Sequence, residues 1–206
     1  MRDRASSRRG PQFDELKDAV YQEIVHATST YALLTRVMFP IYNERRLRRA
    51  YPLIVPTLKH VFTGAVLMGL CRLFEPTGHA SLANFLKRVR AHHTADKAAE
   101  TGRSFLQTIP QRIKEIETHW RSLVLHRNGY LAHLDLSKTP KIEQAKLTYR
   151  DIRLALELAQ RIFGGYRGAF DGVDASMMFE PIELLSEPDQ FLRTHFELEA
   201  PDGPTR

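Results

Sequence analysis

The residue types best suited to chemistry in this chain lie in one short segment, residues 127–133, which reads Arg-Asn-Gly-Tyr-Leu-Ala-His. An arginine keeps its charge at any physiological pH, and a histidine titrates near neutrality. Arg127 also falls at a position where the helical pattern predicts a buried apolar side chain. Because a charge in an apolar seam is costly unless it is paired or used, function is expected in this segment.

These side chains are sufficient for cleaving RNA without a metal ion. His133 would move the proton of a ribose 2′-hydroxyl as that oxygen attacks the adjacent phosphorus, and Arg127 would hold the charge that develops. Asn128 could orient the histidine or contact a ribose or phosphate oxygen. On a straight helix, Arg127 and His133 are about 120° apart and about 9 Å apart along the axis. One imidazole cannot easily serve as both base and acid, so we expect a symmetric dimer that brings two such helices to one cleft.

A second interpretation of the same spacing stays open. Arg127 could be held by a neighbouring carboxylate, and His133 could be a packed side chain without a chemical role. His119, His126 and His133 recur every seven residues, about 10.5 Å apart on a helix, which is too far for one shared metal ion. We therefore expect neither a metal nor another cofactor.

The segment needs a helix to position it, and apolar residues at three- and four-residue steps predict one. This helix is expected to begin at Ser104 or Pro110 and to end near Leu134. Further helices are predicted over about residues 13–38, 54–74 and 82–92. Pro40 is expected to end or kink the first of these, and Ser81 to cap the third.

A last helix is predicted to open at a capping box formed by Thr148 and Asp151 and to end at Gly164-Gly165. No alternating strand pattern, internal repeat or glycine-rich phosphate loop is present. The prediction is an all-α fold, an antiparallel four-helix bundle with an additional short helix and a C-terminal acidic extension. We expect a disordered basic N-terminus at residues 1–10, a helical domain at 11–170 and the acidic extension at 171–206.

Charge is distributed unevenly, with +13 over the first 170 residues and −7 over residues 171–206. A basic body favours a polyanionic partner, here RNA, although a solvated basic surface remains an alternative. The acidic extension could instead shield the body from polyanions. Contacts to RNA phosphates are predicted for seven cations, Arg45, Arg46, Arg48, Arg49, Lys87, Arg88 and Arg90.

The single cysteine, Cys71, excludes an intramolecular disulfide and favours a reducing compartment. No signal peptide is recognisable, so a cytoplasmic location is expected. The apolar stretch at residues 53–74 is interrupted by charges and proline, and its continuous part is about half of the roughly 20 residues that a spanning helix needs. It is interpreted as a buried central helix, and no membrane partner is expected.

The sequence of residues 127–133 resembles the signature of the HEPN superfamily, which is an arginine, a polar residue that is often asparagine, a few further residues, and a histidine. Residues 131–135, Leu-Ala-His-Leu-Asp, are similar to the abortive-infection, AbiU-like branch. Two other segments resemble the same branch, residues 70–76 with Ser81-Leu82 at a helix junction, and residues 147–152 at the start of the last bundle helix. The resemblance covers about residues 13–170.

This resemblance implies a helical bundle, usually dimeric, in which the arginine and the histidine face a shared cleft. Many members of the superfamily are metal-independent endoribonucleases that act as toxins or antiphage effectors. By position, Arg127 and His133 would be catalytic and Asn128 auxiliary, and a cognate antitoxin protein is a further expected partner. Some members carry a tyrosine two residues after the histidine, which a partner enzyme modifies. Asp135 stands there in this chain, so that mode of control is not expected.

Two other functions stay open beside a ribonuclease. One is a non-catalytic helical module that binds RNA, a nucleotide or a protein in the same cleft. The intact arginine–histidine pair argues against it, because a scaffold has no evident need for both groups. The other is an antitoxin or immunity subunit whose acidic tail occupies a basic partner.

Overall fold

The computed structural model describes residues 10–94, 99–132 and 148–173. These residues form helices joined by turns, and no strand occurs among them. The all-α class is therefore confirmed. The helices are α1 (Gly10–Leu33), α2 (Phe39–Asn43), α3 (Arg45–Ala50), α4 (Ile54–Phe74), α5 (Leu82–His92), α6 (Glu100–Ala132) and α7 (Tyr149–Tyr166), with π-helical turns at Leu34–Met38 and Arg167–Asp171.

Several predictions concern residues outside the described ranges. They are the disorder of residues 1–9, the loop at Pro140, the position of His133, and nearly all of the acidic extension. The described chain divides into two compact units. Unit 1 comprises residues 10–25, 67–94, 99–132 and 148–173, and unit 2 comprises residues 26–66.

The core of unit 1 is apolar and rich in aromatic rings. An apolar stripe at the start of α1, formed by Phe13, Leu16, Val20 and Ile24, is buried. The stripe of α7, formed by Ile152, Leu156, Ala159 and Phe163, is buried as well. The Phe85 ring of α5 lies 5.5 Å from that of Phe163 and 5.0 Å from that of Tyr166. Since each fully buried side chain of this size stabilises the fold by about 1.5–3 kcal/mol, these helices are held together mainly by apolar packing.

Local hydrogen bonds start two helices of unit 1 where the sequence predicts. The hydroxyl oxygen of Ser81 accepts a hydrogen bond from the backbone N–H of Asn84 at 3.2 Å, which caps α5. At the start of α7, the backbone N–H of Asp151 donates to Thr148 Oγ1 at 3.2 Å, and the backbone N–H of Thr148 donates to Asp151 Oδ2 at 2.7 Å. Both predicted caps are confirmed.

The prediction that Gly164-Gly165 ends the last helix is wrong. Helix α7 continues to Tyr166, and a π-helical turn follows as far as Asp171, before Gly172 in the left-handed region at φ +67°. Gly165 instead allows α6 to approach, because a Cβ atom there would lie 3.3 Å from the ring of Phe105. Gly165 therefore serves packing between helices, which a local sequence pattern does not reveal.

One other helix end differs from the predictions, and Pro40 perturbs the first helix without stopping it. Helix α6 begins at Glu100 rather than Ser104 or Pro110, and it carries Pro110 in its interior. Helical conformation also continues past Pro40 to Asn43, with the π-helical turn directly before the proline. Since proline lacks the N–H that an α-helix uses, the wider turn is a known way to accommodate it.

Unit 2 has a small core of Ile41, Leu47 and Val55, with Val37 and Tyr42 packed against it. Two cations contact the ring of Tyr42. The guanidinium carbon of Arg48 lies 5.3 Å from the ring centroid, and Lys59 Nζ lies 3.8 Å from it. These contacts connect α3 to α4.

Helix α4 only partly matches the expected buried central helix. Val55, Val66 and Leu70 are buried, but Ile54, Leu58, Val61 and Met68 are exposed, one every three to seven residues. By length and composition α4 could cross a membrane, although the core helix of a soluble protein passes the same test. The exposed apolar residues therefore show an uncovered face and do not by themselves indicate a membrane.

His93, directly after α5, is half-buried among aromatic rings of unit 1. Its ring stacks on Phe170 at 3.9 Å and meets Phe13 edge-on at 6.1 Å. Its Nε2 is buried and has no hydrogen-bond partner among the described residues. Burial, reinforced by the neighbouring His92, lowers the pKa of His93, and the carboxylate of Asp171 acts in the opposite direction.

We expect the free energy of unfolding to fall as the pH drops below about 6.5, the usual histidine pKa. Below that pH His93 binds a proton more readily in the unfolded chain than in the folded chain, which lowers the free energy of unfolding. Above that pH His93 is neutral in both states and causes no loss of stability. His93→Phe keeps an aromatic ring and removes the titrating nitrogen. Its loss of stability between about pH 7 and about pH 5 should therefore be smaller than that of the parent in chemical denaturation.

Some pH dependence should remain in this variant, because burial also lowers the pKa of His119 and of His126. His26→Phe is the matched control, since it changes an exposed histidine of α1 that does not act on the pKa of His93, and it should leave the dependence close to that of the parent. If the stability of the parent and of His93→Phe depends on pH in the same way, protonation of His93 does not cause the loss of stability.

Candidate functional site around Arg127

Arg127 lies on α6, in the predicted seam, and its side chain is half-exposed. Ile116 and Leu123 of the same seam are buried, whereas Trp120 is half-buried. The guanidinium carbon of Arg127 lies 5.6 Å from the centroid of the Trp120 ring. The expected conflict between a charge and a buried position is thus milder than predicted, because the guanidinium lies over an aromatic face and the side chain is half-exposed to solvent.

The polar partner of Arg127 is its neighbour Asn128. Arg127 Nε and Nη2 both donate to Asn128 Oδ1, each at 3.3 Å. Among the described residues, no carboxylate pairs with Arg127. The alternative in which a neighbouring acid holds this arginine therefore has no support in the part of the chain that the structure describes. A neutral amide fixes the guanidinium without cancelling its charge, so the group stays able to bind an anion.

The buried thiol of Cys71 lies close to this part of α6. Its Sγ is 3.8 Å from the carbonyl oxygen of Leu123. Burial raises the pKa of Cys71 to about 11, although the charge of Arg127 lowers it and Glu75 adds to the increase. Since the thiolate is the reactive form, this protonated thiol is a packing residue and no nucleophile.

Two histidines of α6 face the start of α7. Burial lowers the pKa of His126 and of His119, and the carboxylate of Asp151 acts in the opposite direction on both. The pKa of Asp151 is itself lowered, chiefly by hydrogen bonds from the hydroxyl and backbone N–H of Thr148. Both imidazoles are consequently neutral near pH 7.

From the sequence, His126 is considered only as a metal ligand and is rejected in that role, because its seven-residue spacing from His119 and His133 is too long for a shared ion. In the structure it directly precedes Arg127 and is a neutral imidazole near pH 7. No group of three or more histidine, cysteine or acidic residues that could hold a metal occurs in the described ranges. His133 itself lies outside them, directly after the last residue of α6, so its approach to Arg127 stays a prediction.

The seven predicted phosphate-binding cations are all exposed, but they fall into two groups. Arg45, Arg46, Arg48 and Arg49 lie on α3 in unit 2. Lys87, Arg88 and Arg90 lie on α5 in unit 1. The two groups therefore belong to different units, each on one short helix.

A cleft of 680 Å³ in unit 1 involves one of these cations. It lies among α1, α5 and the turn before α5, and its lining includes Phe13, His79, Asn84, Arg88 and His92. Neither Arg127 nor Asn128 lines it. The candidate chemistry of α6 and this cleft are consequently different places on unit 1.

The sequence matches the AbiU2 family, HEPN_AbiU2, over residues 10–187. No curated protein and no solved structure matches the chain. The match extends beyond the expected residues 13–170, so the first part of the acidic extension lies inside the family region, contrary to the expectation from the sequence. Since it covers most of the chain and includes Arg127, Asn128 and His133, this protein belongs to the AbiU2 family of HEPN-type abortive-infection proteins.

Proposed function

We propose that this protein is a metal-independent endoribonuclease, a toxin or antiphage effector that acts in the cytoplasm. The observation that carries the proposal is the state of Arg127, a half-exposed guanidinium held by a neutral amide and by no carboxylate of the described residues. Family membership supports the abortive-infection role. The order of arginine, asparagine and histidine supports the chemistry.

In the proposed reaction, His133 takes the proton from a ribose 2′-hydroxyl, and that oxygen attacks the adjacent phosphorus. The bond from phosphorus to the 5′-oxygen breaks, leaving a 2′,3′-cyclic phosphate on one product and a 5′-hydroxyl on the other. Arg127 stabilises the charge on the non-bridging oxygens, and Asn128 orients its guanidinium. The leaving oxygen needs a proton, and a second His133 from a symmetric dimer would supply it.

A second candidate is a non-catalytic interaction module. The exposed apolar side chains of unit 2 favour it, because clustered apolar residues on a surface mark binding sites. Growth after induced expression separates the two functions. If the parent is toxic and His133→Ala is not, the enzyme is supported. If cells expressing the parent and cells expressing His133→Ala grow equally, the module is supported.

Substitution of the proposed catalytic residues tests the chemistry. In a chelator-containing assay on mixed RNAs, His133→Ala should lower the cleavage rate by about 10²–10⁴-fold, the usual contribution of a general acid or base. Arg127→Ala should lower it by about 10²-fold or more, since a charge-stabilising group is removed. Asn128→Ala should have a smaller effect, and the parent products should end in cyclic phosphate.

His126→Gln is the matched control, because His126 is a neighbouring imidazole of the same helix that faces α7. It should cleave at close to the parent rate. Thermal unfolding of each variant separates impaired chemistry from impaired folding. Cleavage by folded His133→Ala at the parent rate would exclude this mechanism.

The second prediction concerns RNA binding, measured with non-cleaving His133→Ala as background. Replacing Arg45, Arg46 and Arg49 by glutamine should weaken binding and reduce the slope of log K against log salt by about 0.7 for each phosphate that is no longer neutralised. Arg48 is left in place because it packs on Tyr42. A second variant replaces Lys87, Arg88 and Arg90 by glutamine, and the same measurement applies to it.

The charge-matched control replaces three exposed cations of α6 and α7 by glutamine, namely Arg103, Lys114 and Arg161. It should keep the parent slope. If all three triple variants have the same slope, net charge alone explains binding and neither short helix is a specific contact.

A further inference from the structure

One surface of unit 2 combines arginines with exposed apolar side chains. Its arginines are Arg45, Arg46, Arg48 and Arg49 on α3, and its apolar members are Tyr51, Leu53, Ile54, Leu58 and Val61 at and after the turn into α4. We call these nine residues the basic–apolar face. Leu53 is 80% exposed, and the other four apolar residues are between 42% and 57% exposed. An ordinary surface exposes large apolar side chains singly, whereas here five of them lie within eleven residues of the sequence.

The basic–apolar face rests on packed residues. Leu47 of α3 and Val55 of α4 are buried in the same small core, so the two helices are fixed to each other from beneath. The ring of Tyr42 is contacted by Arg48 from α3 and by Lys59 from α4. A partner would therefore meet a preformed surface.

The charge of this face is not neutralised within residues 26–66. These residues contain six lysines and arginines and one acid, Glu44. The Glu44 carboxylate accepts a hydrogen bond from the backbone N–H of Arg46 at 2.9 Å, where it caps α3. A partner for the face must therefore be both acidic and apolar.

The sequence of this chain contains such a segment at residues 180–199. It has six acids and one arginine. Its apolar residues are Ile182, Leu184, Leu185, Phe191, Leu192, Phe196 and Leu198. The segment thus complements the face in charge and in apolar content. Because both belong to one chain, their contact needs no second molecule.

We propose that residues 180–199 bind the basic–apolar face and exclude RNA from its arginines. Only the exclusion of RNA rests on the proposed function, and the binding does not. A second copy fits less well, because a two-fold contact through the same face would bring eight arginines together. RNA matches only the arginines, and an anionic membrane matches both parts of the face but is a separate partner, whereas the segment matches both parts and belongs to the same chain.

Hydroxyl-radical footprinting of the full chain tests the contact by measuring side-chain oxidation. Glu180→Gln, Glu183→Gln and Glu187→Gln combined weaken the charge complementarity. The apolar residues of the face should oxidise several-fold faster in this variant than in the parent. Leu125 of unit 1, which is 58% exposed, is the internal reference and should not change.

The charge-matched control replaces three exposed acids of unit 1, as Asp18→Asn, Glu100→Gln and Glu117→Gln. It should keep the oxidation rates of the parent. Equal oxidation of the face in all three proteins would overturn the proposal. The proposal would also be overturned if protection of the face from oxidation increased with protein concentration and were the same with and without the segment's three glutamates. That result would assign the face to contact with a second copy.

RNA affinity in the His133→Ala background gives the functional readout. The segment variant should bind single-stranded RNA several-fold more tightly than the charge-matched control, although each lacks three negative charges of the parent. Equal affinity of these two variants would overturn the exclusion of RNA. Because footprinting needs no RNA, absence of any RNA binding would refute the proposed function and leave the contact to be judged separately.

Discussion

A guanidinium that keeps its charge available is the interaction on which the account of this protein depends. Arg127 is held by Trp120 and by the amide of Asn128, both from its own helix. Neither contact cancels the charge, and no acid of the described residues does so. The packing of α6 in unit 1 serves this arrangement by burying Ile116 and Leu123 while leaving the arginine half-exposed.

The surroundings of Arg127 narrow the chemistry that is available. The thiol of Cys71 is buried and protonated, so it supplies no nucleophile. His126 is neutral near pH 7, but it faces Asp151 at the start of α7. The histidine of the family signature, His133, is therefore the group to which the proposed proton transfer is assigned. A reaction whose nucleophile comes from the substrate suits so small a set of groups.

Local sequence signals predicted much of the fold, but features that depend on contacts between distant residues could not be predicted from them. The caps at Ser81 and Thr148 were predictable because each involves residues three positions apart. The role of Gly165 was not, since it depends on the ring of Phe105 from another helix. The exposed apolar residues of α4 were missed for the same reason, because a hydrophobic stretch does not show which of its faces is covered. The type and spacing of Arg127 and Asn128 were visible in the sequence, but their mutual hydrogen bonds were not.

The most direct test of the available charge is the Nε–H resonance of Arg127 in protein labelled with ¹⁵N-arginine, assigned by comparison with Arg127→Lys. RNA carrying 2′-O-methyl groups cannot be cleaved by 2′-hydroxyl attack and is the ligand for this titration. The Arg127 resonance should shift as the RNA binds, because a phosphate then accepts a hydrogen bond from the guanidinium. An unchanged Arg127 resonance at saturating RNA, with other arginines shifting, would contradict an anion-binding role for Arg127.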